Sequence, residues 1–267
     1  MSSRLTAAIV LMLAVASFPA RGQRQTAAEP PPETGTFSIL GFDQETGEIG
    51  GAVQSRVFSV GNGVLWAEAG IGVVATQATV DVGYGPTAMR LLKEGMPPKD
   101  IIKKVWDEDT NPGYRGNAWP KTGRQFAVMN PKGEFAAFTG AMAPVEAADA
   151  QGAHSTAQGN TLGSKEVPAA MVKAFEESEK DAVTGKRNHL ALRLVLAIEA
   201  GQAAGGDRRG QQSAALVVVK KDCGVWLHND VGLRLQVDDS PEPIKELRRL
   251  VEKAIAPRSG QLPCYVR

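Results

Sequence analysis

Two segments of the chain, 213–220 (SAALVVVK) and 71–78 (IGVVATQA), read as β-strands, and neither keeps a polar face. A strand sends alternate side chains to opposite faces, so one that is apolar on both must be covered on both. A lone sheet with one face in water is therefore excluded. The chain must build sheets that lie between other layers.

Turn chemistry supplies the connections. Segments 36–42 (TFSILGF) and 48–55 (EIGGAVQS) flank the polar run 43–47 (DQETG), a β-hairpin signature. If residues 43 and 48 close it, Thr36 lies across from Ser55; a one-residue slip puts Gln54 or Arg56 there instead. A second hairpin is predicted where 125–130 and 134–140 flank Pro131-Lys132-Gly133. A third is predicted where 213–220 and 225–228 flank 221–224, with a further strand over 233–237. Helical spacing of apolar residues predicts helices over 85–95, 98–108 and 167–179. The segment 188–202 is apolar around most of its circumference and is expected to be largely buried. A final helix is expected to start at Ser240-Pro241, with Ser as its cap and Pro at its first position. Strands grouped apart from helices, and joined by hairpins, define an α+β fold with mainly antiparallel sheets. One domain is expected over 36–256.

The ends read differently. Arg4, an apolar run over 5–16 and Ala20-Arg21-Gly22 make a signal peptide over 1–22, with cleavage expected after Gly22. The run is shorter than the roughly 20 apolar residues that a bilayer span needs. Export to the periplasm or the medium follows, with no membrane association once the signal is cut. Residues 23–35 (QRQTAAEPPPETG) read as an extended linker and 257–267 as a tail. Export permits a disulfide between Cys223 and Cys264, and two unpaired thiols are equally compatible with the sequence.

Charge removes several function classes. Thirty Lys+Arg against 29 Asp+Glu leave a formal charge of +1. That excludes the basic face of a general nucleic-acid binder or of a polybasic membrane-surface protein. There is no HExxH, CxxC, P-loop or GxGxxG after a strand. The string 159–163 (GNTLG) lacks the serine of a nucleophile elbow. His154, His189 and His228 are scattered. No cofactor and no metal are implied.

The segment Gly35-Thr36-Phe37-Ser38 carries the chemistry that remains. If the bond before Thr36 is cut, Thr36 has a free α-amine beside its own hydroxyl. With a reference pKa of about 7.7–8.0, that amine is partly neutral near pH 7 and can accept the hydroxyl proton. By themselves, these residues favour a turn followed by a β-branched strand start.

The strings TFSILGFDQETGEIGGAVQSR, AGIGVVATQA, YG at 84–85, FAAFTGA, AQGN and AGGDRRGQQSAALVVV resemble a bacterial and archaeal family catalogued as domain of unknown function one-zero-two-eight. The resemblance runs from Thr36 to about Glu252. It implies an N-terminal-nucleophile (Ntn) hydrolase-like architecture, a four-layer αββα sandwich of two antiparallel sheets. In many members the matching Thr directly follows the initiator Met. Here a leader and linker precede it, so a cut between Gly35 and Thr36 is required, and Gly before Thr resembles the self-processing junction of proteasome-type enzymes.

On that reading Thr36 is the nucleophile. Ser38, two residues on, shares its strand face and is expected to hydrogen-bond the amine. Ser55 is placed opposite Thr36. Arg56 beside it would depress the amine pKa, or else form a surface ion pair. Asp207 is expected to orient the amine or to pair with an Arg, Arg209 in particular. Arg208 would hold a substrate carboxylate. Gln77 and Asn160 would donate to an oxyanion, with a structural turn as the alternative for Asn160. Trp66, Trp106, Trp119 and Trp226 are read as core or interface residues. The resulting expectation is an exported amidohydrolase acting on a small amide or peptide-like ligand. The alternative is a non-catalytic exported domain that binds a ligand or assembles, and a homo-oligomer is open in either case.

Overall fold

A computed structural model describes residues 35–224 and 228–256. The leader over 1–22, the linker up to residue 34, the tail from 257 on, Trp226 and Cys264 lie outside the described residues.

The first hairpin forms as its turn chemistry predicts. Strands β1 (Thr36–Phe42) and β2 (Ile49–Ser55) pair antiparallel, with Thr36 opposite Ser55 and Phe42 opposite Ile49. Asp43 accepts from the backbone N–H groups of Glu45 and Thr46, each at 3.0 Å, and its own N–H donates to Glu48 O at 2.9 Å. Gly47 holds φ +72 in this turn, a conformation that L side chains disfavour.

The rest of the chain adds β3 (Leu65–Glu68), β4 (Gly72–Ala78), α1 (Tyr84–Lys93) and α2 (Pro98–Asp107). Then come β5 (Arg124–Met129), β6 (Phe135–Thr139), β7 (Ala148–Gln151) and β8 (Ser155–Asn160). Helices α3 (Val167–Glu177) and α4 (Leu190–Ala203), strands β9 (Ser213–Val219) and β10 (Val231–Val237), and α5 (Pro243–Ile255) complete it. One sheet has six strands in the order β10-β9-β2-β1-β8-β7, and the other has four in the order β3-β4-β5-β6. Every neighbouring pair is antiparallel.

Three apolar layers cement the stack. Phe37, Ile39, Leu216 and Val218 on one face of the six-stranded sheet pack on Phe175, Leu194 and Leu247 of α3, α4 and α5. The opposite face turns Leu40, Val53 and Val217 toward Val73, Ala75, Ala127 and Met129 of the second sheet. The outer face of that sheet, with Val74, Phe126 and Val128, is covered by Leu91, Ile101 and Val105 of α1 and α2. Each large apolar side chain taken from water contributes about 1.5–3 kcal/mol. The fold is thus α+β, a four-layer αββα sandwich, the layer order implied by the resemblance. No helix among the described residues is long and apolar enough to cross a membrane.

The structure differs from the sequence reading in five elements. β3, β7 and β8 were not predicted. β8 reads STAQGN, small and polar, yet all six residues are buried, because α3 covers one face and the second sheet the other. The strand pairing with β9 is β10, which begins at Val231, and His228 of the expected 225–228 strand lies in a turn. The last helix starts at Pro243, two residues beyond Pro241. The Ser240 hydroxyl accepts from Glu242 N at 3.1 Å, which makes a turn ahead of the helix instead of its cap. Cys223 is disulfide-bonded.

Candidate active site

Alternation along the strands decides which side chains meet. Leu40 and Val53 face the layer between the sheets, so Thr36 and Ser38 of β1 and Ser55 of β2 share that direction. Gln158 and Asn160 of β8 enter the same layer from beside β1, and Gln77 of β4 and Gln125 of β5 enter it from the second sheet. At this end of the sandwich the inter-sheet core changes from aliphatic to polar. Buried polar groups there require partners.

Most have them. Ser38 Oγ donates to Gln77 Oε1 at 2.6 Å and accepts from Gln158 Nε2 at 2.5 Å. Gln77 Nε2 donates to Gln125 Oε1 at 2.8 Å and to Thr36 O at 3.3 Å. Asn160 Nδ2 reaches Gln125 Oε1 at 3.1 Å and Thr36 O at 3.4 Å. Gln125 Nε2 donates to Gly159 O at 2.9 Å. Two sheets are therefore stitched together by four amides and a hydroxyl around the carbonyl of Thr36.

On the other side of Thr36 lies a charged group. Thr36, only 6% exposed, donates from Oγ1 to Ser55 Oγ at 3.1 Å, and Ser55 Oγ in turn donates to the carbonyl oxygen of Gly35. The same oxygen accepts from Arg209 Nη2 at 2.7 Å. Arg209 is held by Asp207, with Nε 3.0 Å from Oδ1 and Nη2 2.7 Å from Oδ2. The Asp207 carboxylate also accepts from the backbone N–H groups of Arg209 and Arg56. A two-nitrogen fork of this kind fixes the guanidinium in plane. The loop is anchored by the bridge between Leu162 and Asp207 and by Gly210 N donating to Asp207 O at 2.8 Å.

Gly35 lies in close contact with the charged pair. A Cβ there would lie 2.5 Å from Arg209 Nη2 and 2.8 Å from Asp207 Oδ2.

The expected residues are distributed as follows. Thr36, Ser55 and Asp207 converge at the Gly35–Thr36 junction. Ser38, Gln77 and Asn160 converge on the amide cluster. Ser38 is fully engaged by two glutamines and makes no hydrogen bond to Thr36. Asn160 stands on a strand directly beside Thr36 and not in a turn. The guanidinium of Arg56 points to Gln211 O at 3.1 Å, and Arg208 is exposed, with its backbone N on Thr161 O at 3.0 Å. The cation at the junction is Arg209. Gln125, Gln158 and the guanidinium of Arg209 were not singled out as site groups. The amide pairs meet only across sheets, and Arg208 and Arg209 are identical neighbours. Of the tryptophans, Trp66 and Trp106 pack against the α1–α2 layer, and Trp119 Nε1 donates to Val80 O at 2.7 Å.

A pocket opens beside Thr36. It holds about 210 Å3 and is lined mainly by Val57, Phe58, Val60, Val64, Val80 and Val82. Ser59 (φ 55) and Ala78 (φ 66) on its wall hold left-handed backbone without being glycine, a strain that a rigid surround must impose. Among the described residues, no group of three or more His, Cys, Asp or Glu is placed to hold a metal ion.

Fold and site together define an αββα sandwich whose central strand opens on a buried threonine, with its preceding carbonyl clamped by an arginine and a serine. The chain belongs to the family of unknown function DUF1028, whose model matches residues 36–247. It is similar to the crystal structure of protein SPO2555 from Silicibacter pomeroyi, assigned to the same family, at 31% identity and a TM-score of 0.70, covering 84% of this chain and 87% of that one. The Anbu Gly-1 mutant from Hyphomicrobium sp. strain MC1 matches at 12% identity and a TM-score of 0.39, covering 83% and 95% of the two chains. Anbu (ancestral beta-subunit) from Yersinia bercovieri matches at 9% identity and a TM-score of 0.35, covering 85% and 99%. No curated protein matches the sequence.

Proposed function

We propose that this protein is an exported N-terminal-nucleophile amidohydrolase, acting on a small amide or peptide-like bond after cleavage between Gly35 and Thr36. One observation carries the reading. The carbonyl that must be attacked for that cleavage accepts from Arg209 Nη2 at 2.7 Å and from Ser55 Oγ, and Ser55 Oγ also accepts from Thr36 Oγ1. Donors already aimed at a carbonyl oxygen stabilise the negative charge that develops on attack.

In the first step Thr36 Oγ1 adds to the Gly35 carbonyl carbon. The C–N bond breaks, and the hydroxyl proton passes to the departing Thr36 nitrogen. The product is an ester with a free α-amine, and water hydrolyses it to a Gly35 carboxylate and an N-terminal Thr36. In turnover the neutral amine takes the Oγ1 proton as the oxygen attacks a substrate carbonyl. The substrate C–N bond breaks, the leaving amine carries off that proton, and an acyl ester of Thr36 remains. Water attacks the ester, its proton passes through the amine back to Oγ1, and the acid is released.

The test compares wild type with Thr36→Ala. Intact mass should place the wild-type terminus at Thr36 and leave the variant uncut, with amide hydrolysis confined to wild type. Cell fractionation should find the mature protein outside the cytoplasm. Turnover by a chain whose Thr36 nitrogen is still acylated, or by Thr36→Ala, would contradict the assignment. An uncut chain that binds a ligand without turning it over would point to the non-catalytic reading.

A further inference from the structure

Resting on the Thr36 nucleophile, we propose that the acyl group delivered to it carries an uncharged aliphatic or aromatic side chain, seated in the pocket beside Thr36. In an acyl-enzyme the acyl carbon is bonded to Thr36 Oγ1. Its substituent must occupy space adjoining that atom, and the pocket with Thr36 in its wall is such a space. Its volume of about 210 Å3 is below the roughly 300–1,000 Å3 of pockets for drug-sized ligands, and it suits one side chain.

The lining sets the chemistry. Among the described residues, no Lys, Arg, His, Asp or Glu lines it. The polar side chains present are committed elsewhere. Thr76 Oγ1 donates to Gly63 O at 2.9 Å, Ser59 Oγ to Asp238 Oδ1 at 2.5 Å, and Gln77 belongs to the amide cluster. A charged substituent would lose its hydration there and gain no counter-ion. An aliphatic one would bury its surface against Val57, Val60, Val64 and Val80. At the mouth, Phe58 is 68% exposed and Val82 51% exposed, large apolar surfaces standing in water next to the nucleophile. A substrate side chain entering the pocket would cover part of both.

The experiment uses processed protein whose Thr36 terminus has been verified by mass. It measures kcat/KM for blocked alanyl, leucyl, phenylalanyl, aspartyl and lysyl p-nitroanilides. Leucyl or phenylalanyl should exceed alanyl by at least about tenfold, the scale set by added methylenes in an apolar pocket. Aspartyl and lysyl should fall about 100-fold or more below leucyl. Phe58→Asp and Val82→Asp, both at the solvent rim, should lower leucyl turnover about tenfold and raise lysyl turnover. Thr36-dependent hydrolysis in which lysyl or aspartyl matches leucyl, or in which the rim variants keep the wild-type profile, overturns the pocket assignment alone. Turnover that survives Thr36→Ala, or a panel in which no member adds its acyl mass to the Thr36 peptide, overturns the nucleophile and this assignment with it.

Discussion

Arg209 Nη2 donates at 2.7 Å both to the carbonyl oxygen of Gly35 and to Asp207 Oδ2. One planar cation thus couples a fully buried carboxylate to the peptide bond preceding Thr36, across 174 residues of sequence.

Removing the cation strands the anion. Arg209→Met should destabilise the fold by about 3 kcal/mol, the low end for breaking a buried pair because Arg209 keeps 15% exposure. Asp207→Asn combined with Arg209→Met should cost less than Arg209→Met alone. Urea unfolding of both variants checks this, and a larger loss in the double variant would contradict it.

Gly35→Ala should slow cleavage of the Gly35–Thr36 bond while leaving the fold intact. The added Cβ, 2.5 Å from Arg209 Nη2, displaces the guanidinium from the carbonyl. A time course by intact mass reads the effect. Cleavage at the wild-type rate would mean that the Arg209 contact is not used.

Ser55→Ala removes both the acceptor of the Thr36 hydroxyl and one donor to the Gly35 carbonyl. Loss of one such donor costs about 100- to 1,000-fold in rate, so cleavage should slow on that scale. The Arg209 bond remains, which should keep slow cleavage measurable by the same assay.

At the turn end of β1, His189 is partly buried beside Glu48, with Nε2 3.3 Å from Glu48 Oε1 and Nδ1 accepting from Ala191 N. Burial, the largest influence, holds its ring pKa below 6.5. Glu48 and Asp43 oppose that shift, and Lys220 adds to it. The unfolded chain therefore takes up the proton first as pH falls. Stability from this residue is whole above about pH 6.5 and declines below it, down to the depressed folded pKa. His189→Gln should flatten the stability profile between pH 7 and 5 in denaturant titrations, and an unchanged slope would remove His189 as its source.

How much of this was legible varies by residue. The Thr36–Ser55 pairing could be read because Asp43 and Gly47 fix a turn and alternation carries its register along seven residues. β8 could not, since STAQGN lacks the apolar alternation that marks a strand and is buried only because α3 and the second sheet cover its two faces. The pairing of Asp207 with Arg209 was legible, but the reach of that guanidinium to the Gly35 carbonyl was not. That reach depends on how the loop is turned against Gly35, which is set by a bridge to Leu162 and a turn closed by Gly210.

From the sequence alone came the αββα-compatible order of elements, the two-sided burial of β4 and β9, and a threonine at the start of a central hairpin. These depend on local propensity and on periods of two and 3.6, which act over a few residues. Tertiary structure decided what surrounds that threonine. The partners of Ser38, the clamp on Gly35 and the pocket walled by Val60 and Val80 join segments distant in sequence. Their meeting depends on how two sheets stack, a long-range packing outcome that no local pattern encodes.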